Sequence, residues 1–323
     1  ILPSMLHFQI QTQSLKTEVN AFSQNANTVQ LASTKAQWIT TNLRWKQCEL
    51  FDFGKISDRY AHNGIGKWPT DINIIESKIG SGQLMDEAFF ESLGASSSGL
   101  PAIEYLLFDK SESEILASFT TDTLAAERLA YLQGIADILH QKAQKLLNIW
   151  SASGENYASE FTHSSAQGLS NPMSLLVNGM ISLIEEDAKT KVGKPFGKFD
   201  FGILSPELVE SHRANISLEL LRANVVALQT CFLGSGGNGI SNALDDLHAE
   251  YEDAPLSGIV ADQFDLSIAA IDDLTIPLQD AMISEANKVE ALYQALKQLT
   301  VLFKADICSA MSITVTVSDN DGD

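Results

Sequence analysis

The chain has 323 residues, 45% of them hydrophobic and only 8 of them proline, which is enough apolar material for a core in each of two domains of ordinary size. Lys and Arg number 21 against 41 Asp and Glu, a formal net charge of −20. A surface of that sign repels nucleic-acid phosphates and anionic lipid head groups, and is compatible with cations.

The chain opens Ile1-Leu2-Pro3-Ser4, with neither an initiator Met nor a basic segment, and reads as a mature or trimmed form. Apolar residues then recur at helical spacing almost throughout. Leu31, Trp38 and Trp45 fall on one stripe. The segment from Asn63 to Pro69 reads as a loop, and Ala95 to Pro101 as a small-residue loop ending in proline. Leu100, before proline, is expected extended, with Pro101 in the first turn of the next helix. Leu132, Ile135, Leu139, Ala143, Leu146 and Trp150 form a long stripe, and Met173 to Ile184 another. Gly193-Lys194-Pro195-Phe196-Gly197 breaks that helix. Further stripes run from Leu218 to Phe232 and from Val289 to Phe303, with breaks at Gly234–Gly239 and at Ile276-Pro277. Ile313 to Val317 is the only strand-like run, a short strand or a tail that cannot make a sheet alone. No stretch approaches the ~18 apolar residues of a membrane-spanning helix.

The pattern predicts an all-α protein of two helical-bundle domains, residues 1–150 and 151–323, with a duplication suggested by the long helices in both halves. Cys48, Cys231 and Cys308 lie far apart without a CxxC pair, which excludes a thiolate zinc cage and leaves at least one free thiol.

Few motifs carry chemistry. Gly234 to Gly239 matches GxGxxG, but a helix precedes it where a dinucleotide site needs a strand, so it reads as a helix–helix loop. The acidic run Asp245 to Asp253 would place Asp245 beside His248, and Asp246 beside Glu250, on a solvated helix face. Asp319-Asn320-Asp321-Gly322-Asp323 lacks the closing glutamate of a calcium loop. The six histidines are scattered, and no nucleophile–base pair is apparent. Glu104 stands out, because it sits early in the apolar run Gly99-Leu100-Pro101-Ala102-Ile103-Glu104-Tyr105-Leu106-Leu107-Phe108. It complements the helix dipole there or faces a partner or ligand.

Around Glu104 the chain resembles the imelysin-like family of bacterial exported proteins, which carries a Gly-x-His-x-x-Glu motif followed by an aromatic residue and leucines. Further matches occur in the family's order: Lys67-Trp68-Pro69, the run Arg128 to Leu132 with Asp137, Gly193 to Gly197, Glu210 to Ser217, and the closing acidic Ser318 to Asp323. The resemblance implies two helical bundles with a site near their junction, export to the periplasm or outer membrane, often as a lipoprotein, and a role in iron uptake. It also offers a metal-dependent peptidase as the alternative activity. The family's motif histidine is replaced here by Pro101, which has no ligand atom, so Glu104 is left as the single candidate metal ligand. One carboxylate does not hold a transition metal tightly and also activate its water.

The expected site is therefore Gly99, Pro101, Glu104 and Trp68 with Glu210, Arg213 and Ser217. The last three are expected on one helix face, with Arg213 bridging to Glu104 or lining a polar pocket beside Glu210. The expected function is a binding protein for iron, haem or a siderophore, or for envelope iron-transport proteins. Iron or another divalent metal is the expected cofactor, if any, and peptidase activity is not expected.

Overall fold

The computed structural model describes residues 1–234, 236 and 238–316. The protein is all-α. Among the described residues the strands are Glu250–Tyr251 and Ala254–Pro255, an antiparallel pair with Tyr251 opposite Ala254. The chain divides into two compact units. The first holds Ile1–Cys48, Lys55–Ser159 and the short piece Arg213–Asn215. The second holds Glu49–Gly54, Glu160–His212 and the chain from Ile216 onward.

The first unit is built on three long helices, Leu2–Gln24, Thr28–Lys46 and Ala125–Trp150, each packed through one apolar stripe. Asn27 starts the second of them, its side chain accepting the Gln30 N–H at 3.0 Å. Phe8, Phe22, Trp38, Tyr131 and Trp150 are fully buried and form the centre of this core. Phe22 meets Phe119 edge-on at 5.1 Å. The helix Gly99–Phe108 lies against Thr28–Lys46 and Ala125–Trp150. Gly134 makes room for a neighbour, since a Cβ there would lie 2.0 Å from the Phe90 ring.

The second unit is built on Pro172–Glu185, Ser217–Leu233, Leu256–Asp272 and Ala286–Val301. Pro172–Glu185 runs on as a π-helix over Glu186–Gly193, and Ala286–Val301 as one over Leu302–Ile307. Each π segment turns its side chains to a new face without ending the helix. Phe232, Phe264 and Phe303 meet at centroid distances of 5.8–6.1 Å and are fully buried.

The stripes at Leu31–Trp45, Leu132–Trp150, Met173–Ile184, Leu218–Phe232 and Val289–Phe303 all lie on helices. Two local expectations fail. The helix expected to begin at Pro101 begins at Gly99, so Leu100 is helical and Glu104 lies beyond the first turn. The run Asp245–Asp253 is not a helix face: its helix ends at Asp246, His248 takes a left-handed φ of 50°, and Glu250–Tyr251 form a strand. Of the two forms open to the strand-like run, Ile313 to Thr316 take the tail: they form no strand, and Asn178 holds Thr316 through two hydrogen bonds. Val317 and the acidic stretch Asp319–Asp323 lie outside the described residues. The three cysteines are free thiols.

Truncating Phe264 to Ala removes the ring shared by Phe232 and Phe303. Destabilisation of about 3–5 kcal/mol is expected, read from urea unfolding.

Candidate functional site

The motif segment is held by backbone geometry before any side chain acts. Gly99 has φ of 73°, and a Cβ there would lie 2.4 Å from the Ile65 carbonyl oxygen and 2.5 Å from that of Gly64. Only glycine fits so close an approach in a left-handed turn. The Leu100 N–H donates to Ile65 O at 2.7 Å. Trp38 Nε1 donates to Leu100 O at 3.0 Å, and the Tyr131 hydroxyl to Ser97 O at 2.7 Å. Trp68, half-buried, precedes a cis peptide to Pro69, and Lys46 Nζ lies 5.8 Å from its ring centroid. Gly99, Trp68 and Glu104 all fall in the first unit, and the start of the Glu104 helix is braced by Ile65, Trp38 and Tyr131.

Glu104 is 4% exposed. Its Oε1 accepts the backbone N–H of Arg213 at 3.1 Å and of Ala214 at 3.0 Å. These are charge-assisted bonds, and they supply what a buried carboxylate requires. The expected side-chain bridge from Arg213 is replaced by a different pairing. Arg213 Nε donates to Asp109 Oδ1 at 2.6 Å, and its guanidinium carbon lies 5.7 Å from the Tyr105 ring centroid. The reason is local. Residues 210–216 are not helical: Ser211 and Asn215 take left-handed φ of 52° and 58°, and the helix starts only at Ser217. Glu210, Arg213 and Ser217 therefore share no helix face. Arg213 falls in the first unit, whereas Glu210 and Ser217 fall in the second.

A neighbouring polar group was not singled out from the sequence. Arg128 makes a two-pronged pair with Glu76, at 2.6 and 2.8 Å, and the Tyr105 hydroxyl donates to the same carboxylate at 2.7 Å. The Arg128 bond, followed by the Tyr105 bond, holds the Glu76 carboxyl below its usual range against burial. Burial and the Glu76 carboxylate push the Tyr105 phenol above its usual range. Arg128 and Tyr105 stood in the matching runs, but nothing in their spacing pointed to Glu76.

In the second unit Glu210 and Ser217 sit by a buried ammonium. The Ser217 hydroxyl donates to the Glu210 backbone carbonyl. Lys191 Nζ lies 2.8 Å from Asp187 Oδ1, 3.3 Å from Glu49 Oε2 and 4.0 Å from Glu210 Oε2. It also donates to Asn224 Oδ1 at 2.9 Å, and Asn224 donates to Glu49 at 2.8 Å. Burial alone would lower the Lys191 ammonium, but Asp187, Glu49 and Glu210 raise it well above its usual value. Burial pushes the fully enclosed Asp187 carboxyl up to about 7, against the pull of Lys191. Its Oδ2 has no hydrogen-bond partner.

The residues at the motif do not fit a metal held by Glu104. Pro101 offers no donor, and the two N–H groups on Glu104 already direct positive charge at its Oε1. Among the described residues no group of three or more His, Cys, Asp or Glu side chains is arranged to hold a metal ion.

Replacing Glu104 by Ala leaves the Arg213 and Ala214 N–H groups without their acceptor. Faster hydrogen exchange at those two amides is expected, with a loss of about 1–3 kcal/mol. Unchanged exchange would rule out the clasp.

Asp187 gives a signed pH effect. Its carboxyl titrates higher in the fold than the usual 3.8 of an exposed aspartate. The stability it contributes is therefore complete below pH 3.8 and is lost as pH rises through about 7. Melting temperatures from pH 4 to 8 should fall more steeply for the wild type than for Asp187→Asn.

No helix among the described residues is long and apolar enough to cross a membrane. No curated protein matches the chain. Solved structures share its fold, among them the following two. One is described as an iron-regulated protein A precursor from Parabacteroides distasonis, 18% identical, with a TM-score of 0.78 over 96% of this chain and 91% of that one. The other is an imelysin-like protein from Psychrobacter arcticum, 15% identical, with a TM-score of 0.77 over 98% of this chain and 93% of that one. The family model described as imelysin, peptidase M75, matches residues 1–303, and the chain belongs to the imelysin family.

Proposed function

We propose that the protein is an exported binding protein of the cell envelope, periplasmic or attached to the outer membrane, that serves iron uptake without peptidase activity. The observation that carries this reading is the fate of the motif carboxylate. Glu104, the acidic residue kept from the family motif, accepts backbone N–H groups of its own unit and has Pro101 where a second ligand would stand. A metallopeptidase needs a metal, an open coordination position and a base for the attacking water, and this segment supplies none of that set. Family membership over residues 1–303 and the fold shared with a protein described as iron-regulated favour an iron-linked role. Iron then reaches the protein inside haem or a ferric siderophore, or held by an envelope transport protein, and not as a bare ion on Glu104.

The four tryptophans provide a fluorescence signal for titration with haem, a ferric hydroxamate siderophore and iron(III) citrate. Saturable binding of haem or the siderophore is expected, with no stoichiometric metal in elemental analysis of the protein given iron salt alone. Stoichiometric metal lost in Glu104→Ala, together with chelator-sensitive cleavage of unfolded polypeptide, would replace this reading by the peptidase.

A further inference from the structure

The break that follows the Glu186–Gly193 π-helix is more than a connection. The Ser205 N–H donates to Pro195 O at 2.8 Å and so closes the 195–205 segment at its neck. Inside it, the Gly202 N–H donates to Gly197 O at 3.0 Å and the Ile203 N–H to Asp200 O at 2.8 Å. Gly197 has φ of 74°, and a Cβ there would lie 2.7 Å from the Ile203 carbonyl oxygen, so the neck is tight. At the base, Lys198 pairs with Glu290 and lies 5.1 Å from the Phe196 ring centroid and 5.3 Å from that of Tyr293. This is a self-bonded loop with a fixed shape.

Its outer face is apolar. Phe201 is 102% exposed, Ile203 59%, Phe199 57% and Leu204 37%. Phe201 also takes a left-handed φ of 49°, a conformation unusual for a bulky side chain. Exposed apolar residues are ordinary when scattered, but four within six positions on one closed loop make a patch. The rest of the second unit buries its aromatics at Phe232, Phe264 and Phe303, so a shortage of core space does not explain the exposure.

We propose that this loop is an interfacial anchor that inserts Phe199, Phe201 and Ile203 into a zwitterionic lipid surface. Size argues for lipid over a protein socket. An aromatic side chain buries about 150–250 Å². The loop tip therefore falls short of the roughly 800 Å² per partner that a stable protein interface buries. A protruding tip suits insertion below the head groups, where each buried apolar group adds affinity without a matching surface. Charge selects the lipid class. Lys194, exposed at the base, faces phosphate, and Asp200, exposed between the two phenylalanines, suits a choline or ethanolamine cation. The net charge of −20 disfavours an anionic leaflet.

The test is co-sedimentation of the full chain with phosphatidylcholine vesicles, compared with a Phe199→Ser/Phe201→Ser variant. Both positions are exposed, so the variant should melt with the wild type. The wild type should bind, the variant should lose at least tenfold in bound fraction, and added phosphatidylglycerol should weaken binding. In a Phe201→Trp protein, brominated lipid should quench fluorescence beyond the wild-type level. Wild type that stays in the supernatant at millimolar lipid, or a variant that binds equally, overturns the proposal. Self-association in the ultracentrifuge that the variant loses, without vesicle binding, overturns it in favour of a second copy.

Discussion

A carboxylate on an apolar helix has to find donors, and much of the first unit is arranged around how Glu104 finds them. Left bare in so buried a place, the charge would be strongly destabilising. The donors are the main-chain N–H groups of Arg213 and Ala214. Once those are in place, the neighbouring pairings follow in sequence. The Arg213 side chain turns to Asp109 and over Tyr105, and Tyr105 shares Glu76 with Arg128. The left-handed turn at Gly99 holds the start of the Glu104 helix against the Ile65 carbonyl, which sets where the carboxylate projects. Each link uses a charged or strongly polar partner, so loss of one leaves the next exposed to the same desolvation cost.

The second unit meets the same problem with the opposite sign and a different device. Lys191 is enclosed, and its counter-charges come from Asp187 on its own π-helix and from Glu49 and Glu210 elsewhere in the unit. Three carboxylates around one ammonium leave an excess of negative charge. Asp187, the most enclosed of the three, holds its proton to about 7, chiefly because it is buried and only secondarily because Glu49 and Glu186 lie near. The two units thus satisfy buried charge once with backbone amides and once with a partly neutralised ion cluster.

Family membership does not settle activity here, because a fold hosts many functions and only the site decides among them. Identities of 18% and 15% to the two structural relatives carry the architecture and no further. The chemistry has to be read from Pro101 and Glu104 as they stand in this chain. In that position a proline and a clasped glutamate are a structural pair first. Any ligand role must work around bonds already made.

The sequence by itself determined the all-helical fold. Leu132 to Trp150 and Val289 to Phe303 repeat at helical spacing with buried stripes, and such local periodicity survives without knowledge of neighbours. It also marked Glu104, since a charge in an apolar run is an anomaly visible in one dimension, while Gly99 entered only through the resemblance to the family motif and its close packing came from the structure. Only the tertiary structure decided what Glu104 bonds to, because its donors lie 109 and 110 residues away and are backbone groups, which every residue type but proline supplies alike. The same limit hid Glu76 beside Arg128 and Glu49 beside Lys191. It also misled the reading of residues 210–216, where a helical pattern of side chains lies on left-handed turns at Ser211 and Asn215. Pairing across long sequence separation depends on how helices pack, and helical periodicity shows which face is buried without showing what it meets.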